Sequence, residues 1–133
     1  MAHRVLVIDD EQDIRRLISL ILESAGYEVV QAANGLEGLE RLEQEQFHAL
    51  VLDIMMPEMD GWEVCRQVRC RPQSKDLPVL ILTVRGQPLD RVIGMEVVHA
   101  DEYLTKPFER RVLLETVNRL VAGKTDATAS AQA

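Results

Sequence analysis

Arg4-Val5-Leu6-Val7-Ile8, running straight into Asp9-Asp10, is the stretch on which the fold turns. An unbroken run of branched apolar residues, without polar alternation, is the pattern of a strand covered on both faces, and such strands are usually parallel. Ala49-Leu50-Val51-Leu52 and Pro78-Val79-Leu80-Ile81-Leu82 repeat it. Between the first two, Ile14, Leu17, Ile18, Ile21 and Leu22 trace one stripe of a helix that stops near Gly26, and Tyr27 to Gln31 forms a shorter strand. Asn34-Gly35 caps a helix carrying Leu36, Leu39 and Leu42, and the segment from Gly61 carries Val64, Cys65 and Val68 as another. A further helix opens at Pro88 and runs through Val92 and Ile93, and Glu102-Tyr103-Leu104 is a fifth strand. The last helix turns Leu113, Val117, Leu120 and Val121 inward and ends about Gly123. The pattern predicts one α/β domain over residues 1–123, a doubly wound five-stranded parallel sheet with five helices, and a disordered small-residue tail over 124–133. In such a fold, crossovers are right-handed and ligands sit beyond the carboxyl ends of the strands.

Composition agrees with one globular domain. The 133 residues suffice for a core without disulfide or metal support, and 47% hydrophobic with 28% charged residues fits neither disorder nor a fibrous repeat. With 15 Lys and Arg against 22 Asp and Glu, the net charge of -7 argues against direct nucleic-acid binding, which needs cations to neutralise phosphates. No run approaches the ~20 apolar residues of a bilayer span, and Met1-Ala2-His3-Arg4 enters the first strand without a secretory signal, so a cytoplasmic address and no membrane partner are expected. Cys65 and Cys70 fall on different faces of one helix and are expected to stay reduced. His3, His48 and His99 lack metal-ligand spacing, Trp62 reads as packing, and Arg66, Arg69, Arg71 and Lys75 read as a solvated face.

The carboxyl ends of the strands carry the chemistry. Asp9-Asp10 follows the first, Asp53 the third, Thr83 the fourth and Lys106 the fifth. Converging carboxylates repel one another in a partly desolvated pocket, and a divalent cation keeps all three ionised. Hard oxygen ligands that leave room for water suit Mg²⁺. The charges of three aspartates, one magnesium ion and Lys106 cancel, so a phosphoryl group can approach, and an aspartate carboxylate can attack phosphorus to give an acyl phosphate. Asp53, at the tip of a middle strand and followed by Ile54-Met55-Met56-Pro57, is the expected nucleophile.

Val7-Ile8-Asp9-Asp10-Glu11, then Leu52-Asp53-Ile54-Met55-Met56-Pro57-Glu58-Met59-Asp60-Gly61, then Leu82-Thr83, then Tyr103-Leu104-Thr105-Lys106-Pro107-Phe108 together resemble the receiver domain of two-component response regulators, over about residues 4 to 122. The resemblance implies a flavodoxin-like fold and a signalling switch. Asp53 would take a phosphoryl group from a histidine kinase or phosphotransfer protein. Asp9, Asp10, Asp53 and the backbone carbonyl of Met55 would hold Mg²⁺, with Asp10 the direct ligand of the acidic pair. Lys106 would pair with the phosphate, next to a cis bond to Pro107. Thr83 would turn its hydroxyl to a phosphoryl oxygen and Tyr103 would swing into the space vacated. The readout would be the face made by the helix opening at Pro88, the fifth strand and the last helix, where an output domain, a downstream protein or a second copy binds. The domain would be no turnover enzyme, although it would promote its own phosphorylation and dephosphorylation.

Departures from the family pattern fall near Thr83. Val84 replaces a small residue, the interval to Lys106 holds an extra residue, and Val98-His99 stands where a turn glycine is expected. Met55 and Arg85 resemble the choices in receivers of transcription factors with a winged-helix output, while Val112 and Thr116 break the ion-pair set by which such receivers dimerise. The rival reading is a magnesium-dependent phosphohydrolase working through an aspartyl phosphate. It needs a second acid two residues after the nucleophile, where Met55 stands. A nucleotide-binding domain would need a phosphate-cradling loop after the first strand, where Asp9-Asp10-Glu11 repels phosphate instead.

Overall fold

The computed structural model describes residues 3–53, 61–84 and 100–132, with the backbone alone described at 83–84 and 124–132. In chain order the elements are β1 (Arg4–Ile8), α1 (Gln12–Ser24), β2 (Glu28–Ala32), α2 (Gly35–Gln44), β3 (Ala49–Asp53), α3 (Gly61–Cys70), β4 (Val79–Val84), β5 (Glu102–Lys106) and α4 (Arg110–Gln132). The helix expected from Pro88, with Arg85 and the Val98-His99 turn, lies outside the described residues, which contain four helices.

All strand pairs are parallel, in the order β2-β1-β3-β4-β5. The unalternated apolar runs explain this, because both faces are covered. On one face Leu6, Ile8, Leu50, Leu52, Val79 and Ile81 pack with Leu39 and Leu42 of α2 and Val64, Cys65 and Val68 of α3. On the other, Val5, Val7, Val51, Leu80 and Leu82 pack with Ile18, Ile21 and Leu22 of α1 and Leu113, Val117 and Val121 of α4. The chain leaves β1 toward β2 on one side and toward β3 on the other, so the order reverses between β1 and β3. In doubly wound sheets such a reversal marks where ligands bind, beyond the carboxyl ends of those two strands.

Local chemistry sets the helix ends. Gly26, at φ 94, closes α1, with its N–H donating to Glu23 O and the Tyr27 N–H reaching back to Leu22 O. Asn34 caps α2 by accepting the Glu37 N–H at 2.9 Å. Gly38 lets α2 press on β1, since a Cβ there would fall 2.2 Å from Ile8 Cδ1. α4 runs on past Gly123, where the sequence pattern puts its end. Gly26 is the only glycine with positive φ among the described residues, so Gly123 does not act as a left-handed cap, and the alanine-rich stretch beyond it favours helix.

Three of the four basic residues on α3 and in the segment after it are paired rather than free. Arg66 pairs with Glu63, Arg71 with Glu43 at 2.8 Å, and Arg69 with Asp101 at 2.8 Å. Arg69 also donates to Leu77 O, and the same Asp101 oxygen accepts the Val79 N–H. Leu17 and Leu36, read as inward, are 48% and 54% exposed. Neither Cys65 nor Cys70 is in a disulfide among the described residues; Cys65 is buried, its thiol pushed up to about 11 by that burial, and Cys70 is exposed. His48 packs edge-on against His3, and its Nδ1 accepts the Arg4 N–H at 2.9 Å.

Candidate functional site

Strand register builds the site. Ile8 lies beside Leu52, which brings Asp9, the next residue, level with Asp53 at the end of β3. Asp53 lies beside Leu82 and Leu82 beside Leu104, so Lys106 stands two residues further along β5, with β4 between it and the acids. Leu82 and Leu104 belong to the layer under α1 and α4, and side chains alternate along a strand. Lys106 therefore shares their face, and its long side chain reaches back over β4.

The ammonium Nζ of Lys106 lies 3.2 Å from Asp9 Oδ2 and 3.4 Å from Asp53 Oδ2. Asp9 and Asp53 are buried, at 0% and 2% exposure. Asp10 is the exposed member, and one oxygen from each of the three carboxylates lies within 4.8 Å of the others. Burial works against the charge on Lys106, but the fields of Asp53 and Asp9 outweigh it, and its pKa is raised above the ordinary lysine value. Its peptide bond to Pro107 is cis, as the family resemblance implies.

The other Asp9 oxygen, Oδ1, accepts the Glu11 N–H at 2.9 Å, and the Asp9 N–H donates to Ala32 O at 3.2 Å. Both Asp9 oxygens thus have protein donors, whereas the Asp10 residue is exposed. Arg15, on the second turn of α1 and not singled out by the sequence, donates from Nη1 to the Asp9 carbonyl at 2.7 Å and from Nε to Gln31 Oε1 at 3.2 Å. A basic residue early in the helix that follows the acidic pair is the only signal the sequence held for it.

Of the expected site residues, Asp9, Asp10, Asp53 and Lys106 come together. Thr83 is in β4, paired with Thr105 and one step beyond the Asp53 level. Tyr103 is half-buried on the opposite face of the sheet, against the layer under α2 and α3. Met55 lies outside the described residues. Three carboxylates against one ammonium leave two negative charges to be balanced. Oxygen donors at this spacing suit a small hard divalent cation, so the residues fit the magnesium that the charge arithmetic requires.

A family model described as the response regulator receiver domain matches residues 5–118. The chain belongs to this family. The receiver domain is 43% identical over 111 residues to the alkaline phosphatase synthesis transcriptional regulatory protein PhoP of Bacillus subtilis, covering 84% of this chain and 45% of that protein. It is 42% identical over 118 residues to the DNA-binding dual master transcriptional regulator RpaA of Synechocystis, covering 89% and 48%. It therefore spans about half the length of these curated relatives. Among solved structures, the Vibrio cholerae chemotaxis protein CheY4 superposes with a TM-score of 0.86 at 38% identity, over 90% of this chain and 99% of that one. A putative response regulator from Chloroflexus aurantiacus gives 0.88 at 37% identity, over 92% and 99%. A receiver domain is the phosphorylation-activated switch of a two-component system, and the phosphohydrolase reading is not favoured. Among the described residues, no helix is long and apolar enough to cross a membrane.

Proposed function

We propose that Asp53 is the phosphoacceptor of this receiver, taking a phosphoryl group from a histidine kinase or phosphotransfer protein with magnesium present. The observation that carries this reading is the meeting of Asp9, Asp10 and Asp53 within 4.8 Å of one another, with Lys106 Nζ 3.4 Å from the Asp53 carboxylate. An Asp53 carboxylate oxygen attacks phosphorus, the phosphorus–nitrogen bond to the donor imidazole breaks, and the imidazole nitrogen takes up a proton. Asp9, Asp10 and Asp53, with the backbone carbonyl of Met55, are the ligand set for Mg²⁺. That ion supplies charge neutralisation of phosphoryl oxygens. Lys106 neutralises a further oxygen, and the buried Asp9 holds that ammonium in place.

The acyl phosphate adds about one negative charge and new acceptor oxygens beside the ends of β3, β4 and β5. Thr83 and Tyr103 are the residues that convert this into a changed surface, read by an output domain, a downstream protein or a second copy on the face of β5 and α4. The same constellation supports self-catalysed phosphorylation from a small donor and hydrolysis of the product. The net charge of -7 and the paired arginines on and just after α3 fit protein partners rather than direct nucleic-acid contact, and a cytoplasmic address is in keeping with this reading.

The test is labelling from phosphoramidate or a kinase with magnesium present. Wild-type protein takes up one hydroxylamine-sensitive phosphoryl group, and Asp53→Asn takes up none while keeping its circular dichroism. A label that persists in Asp53→Asn overturns the assignment of the acceptor.

A further inference from the structure

Asp10 is the exposed member of the acidic triad, and among the described residues its carboxylate makes no hydrogen bond or ion pair. Its direction is therefore set by its own backbone, and both peptide groups flanking its Cα are held. The carbonyl of the Asp9-Asp10 peptide accepts from Arg15 Nη1 at 2.7 Å. The amide of the Asp10-Glu11 peptide donates to Asp9 Oδ1 at 2.9 Å. Asp9 is fixed in turn through its other oxygen by Lys106 at 3.2 Å.

Arg15 is itself anchored. Its Nε donates to Gln31 Oε1 of β2 at 3.2 Å, its backbone N–H bonds Glu11 O at 2.9 Å, and its carbonyl accepts the Ser19 hydroxyl at 2.8 Å. A planar guanidinium forked between two acceptors transmits direction in a way a flexible ammonium does not. We propose that Arg15 is a positioning residue for magnesium: by gripping the Asp9 carbonyl it aims the Asp10 carboxylate at the ion. This rests on Asp10 being a ligand, as the functional reading has it.

The sign of the effect separates positioning from charge. Arg15 is a cation beside a cation site, so through its field alone its removal strengthens magnesium binding. Through aim, its removal weakens binding. Groups that orient metal ligands typically carry about 10- to 100-fold in affinity, which exceeds the screened repulsion of a half-exposed guanidinium, so aim wins.

Magnesium chloride titrated calorimetrically into the full chain is the primary test. Arg15→Met weakens binding roughly tenfold, Arg15→Lys recovers part of the loss, and Gln31→Leu, which removes only the far anchor, loses less than Arg15→Met. In metal-free protein, the amide resonances of Asp10 and Glu11 shift in all three variants. The magnesium midpoint for phosphoramidate labelling rises in Arg15→Met, while the rate at saturating magnesium returns to that of wild type. Unchanged or tighter magnesium binding by Arg15→Met, or a lower saturated rate at an unchanged midpoint, overturns the proposal. Should Arg15→Met not fold, Arg15→Lys and Gln31→Leu carry the same comparison. A wild-type chain that takes up neither magnesium nor label overturns the functional reading beneath it.

Discussion

The Lys106 ammonium, its side chain 16% exposed, lies between carboxylates that are 1% and 3% exposed. Removing one partner of a buried pair leaves uncompensated charge, at a cost of about 3 kcal/mol. Lys106→Met in EDTA is therefore expected to lose stability on that order. The folded pKa is raised, so the contribution is complete below the ordinary lysine value and fades only as pH climbs through the raised one. Urea unfolding should show a gap between wild type and variant that is flat across neutral pH and narrows only above about pH 10.4. A gap that closes at neutral pH would refute it. Asp10 has the opposite balance, since among the described residues it has no cation of its own and it adds to the repulsion. Asp10→Asn should raise the metal-free urea midpoint while losing the stabilisation that magnesium gives wild type. A lowered midpoint in EDTA contradicts the prediction. The aspartates and Lys106 were legible in the sequence because they fall together at the carboxyl ends of strands, where charges of both signs converge, whereas any one of the acids alone would read as a helix cap or a solvated loop residue. Arg15 was not, because its role depends on which backbone carbonyl its side chain meets.

At the scale of elements, the contact of α2 with β1 couples packing to the site. A methyl group at position 38 would fall 2.2 Å from Ile8 Cδ1 and 2.8 Å from Cγ1, and Ile8, fully buried, directly precedes Asp9. Overpacking of this kind costs about 1–3 kcal/mol, offset by the roughly 1 kcal/mol by which alanine favours helix over glycine. Gly38→Ala should lose about 1 kcal/mol net. Ile8→Val, which removes only Cδ1, should cost less in the Gly38→Ala background than in wild type, as a double-mutant cycle by urea unfolding will show. Additive effects would mean that the clash is relieved elsewhere. The strands and helices were readable from apolar runs and periodicity, but the width of each apolar stripe was not. Leu17 sits at the margin of the arc formed by Ile14, Ile18, Ile21 and Leu22, and Leu36 lies well round α2 from Gly35, Gly38, Leu39 and Leu42. A stripe counted by period alone takes in such marginal residues, and only the sheet beneath decides which of them are covered.

At the scale of the whole molecule, the two layers on the sheet divide the labour. The layer under α1 and α4 carries Asp9, Asp53 and Lys106 at its upper edge, whereas Tyr103 packs into the layer under α2 and α3, so a change at the acids must cross the sheet to reach it. The first layer closes along α4 through Leu113, Val117 and Val121, and a Cβ added at Gly123, two residues beyond, would meet nothing within 4 Å. Folding and the site should therefore need no residue past Gly123, although the helix runs to Gln132. A chain ending at Gly123 is expected to unfold within about 0.5 kcal/mol of the full chain, as changes away from packed features do. It should also bind magnesium with the same affinity. A chain ending at Thr116 loses both Val117 and Val121, each buried valine contributing about 1.5–3 kcal/mol, and should be largely unfolded. Urea unfolding of the two truncations decides the matter, because a loss of several kcal/mol on cutting at Gly123 would mean that residues 124–132 pack against the domain.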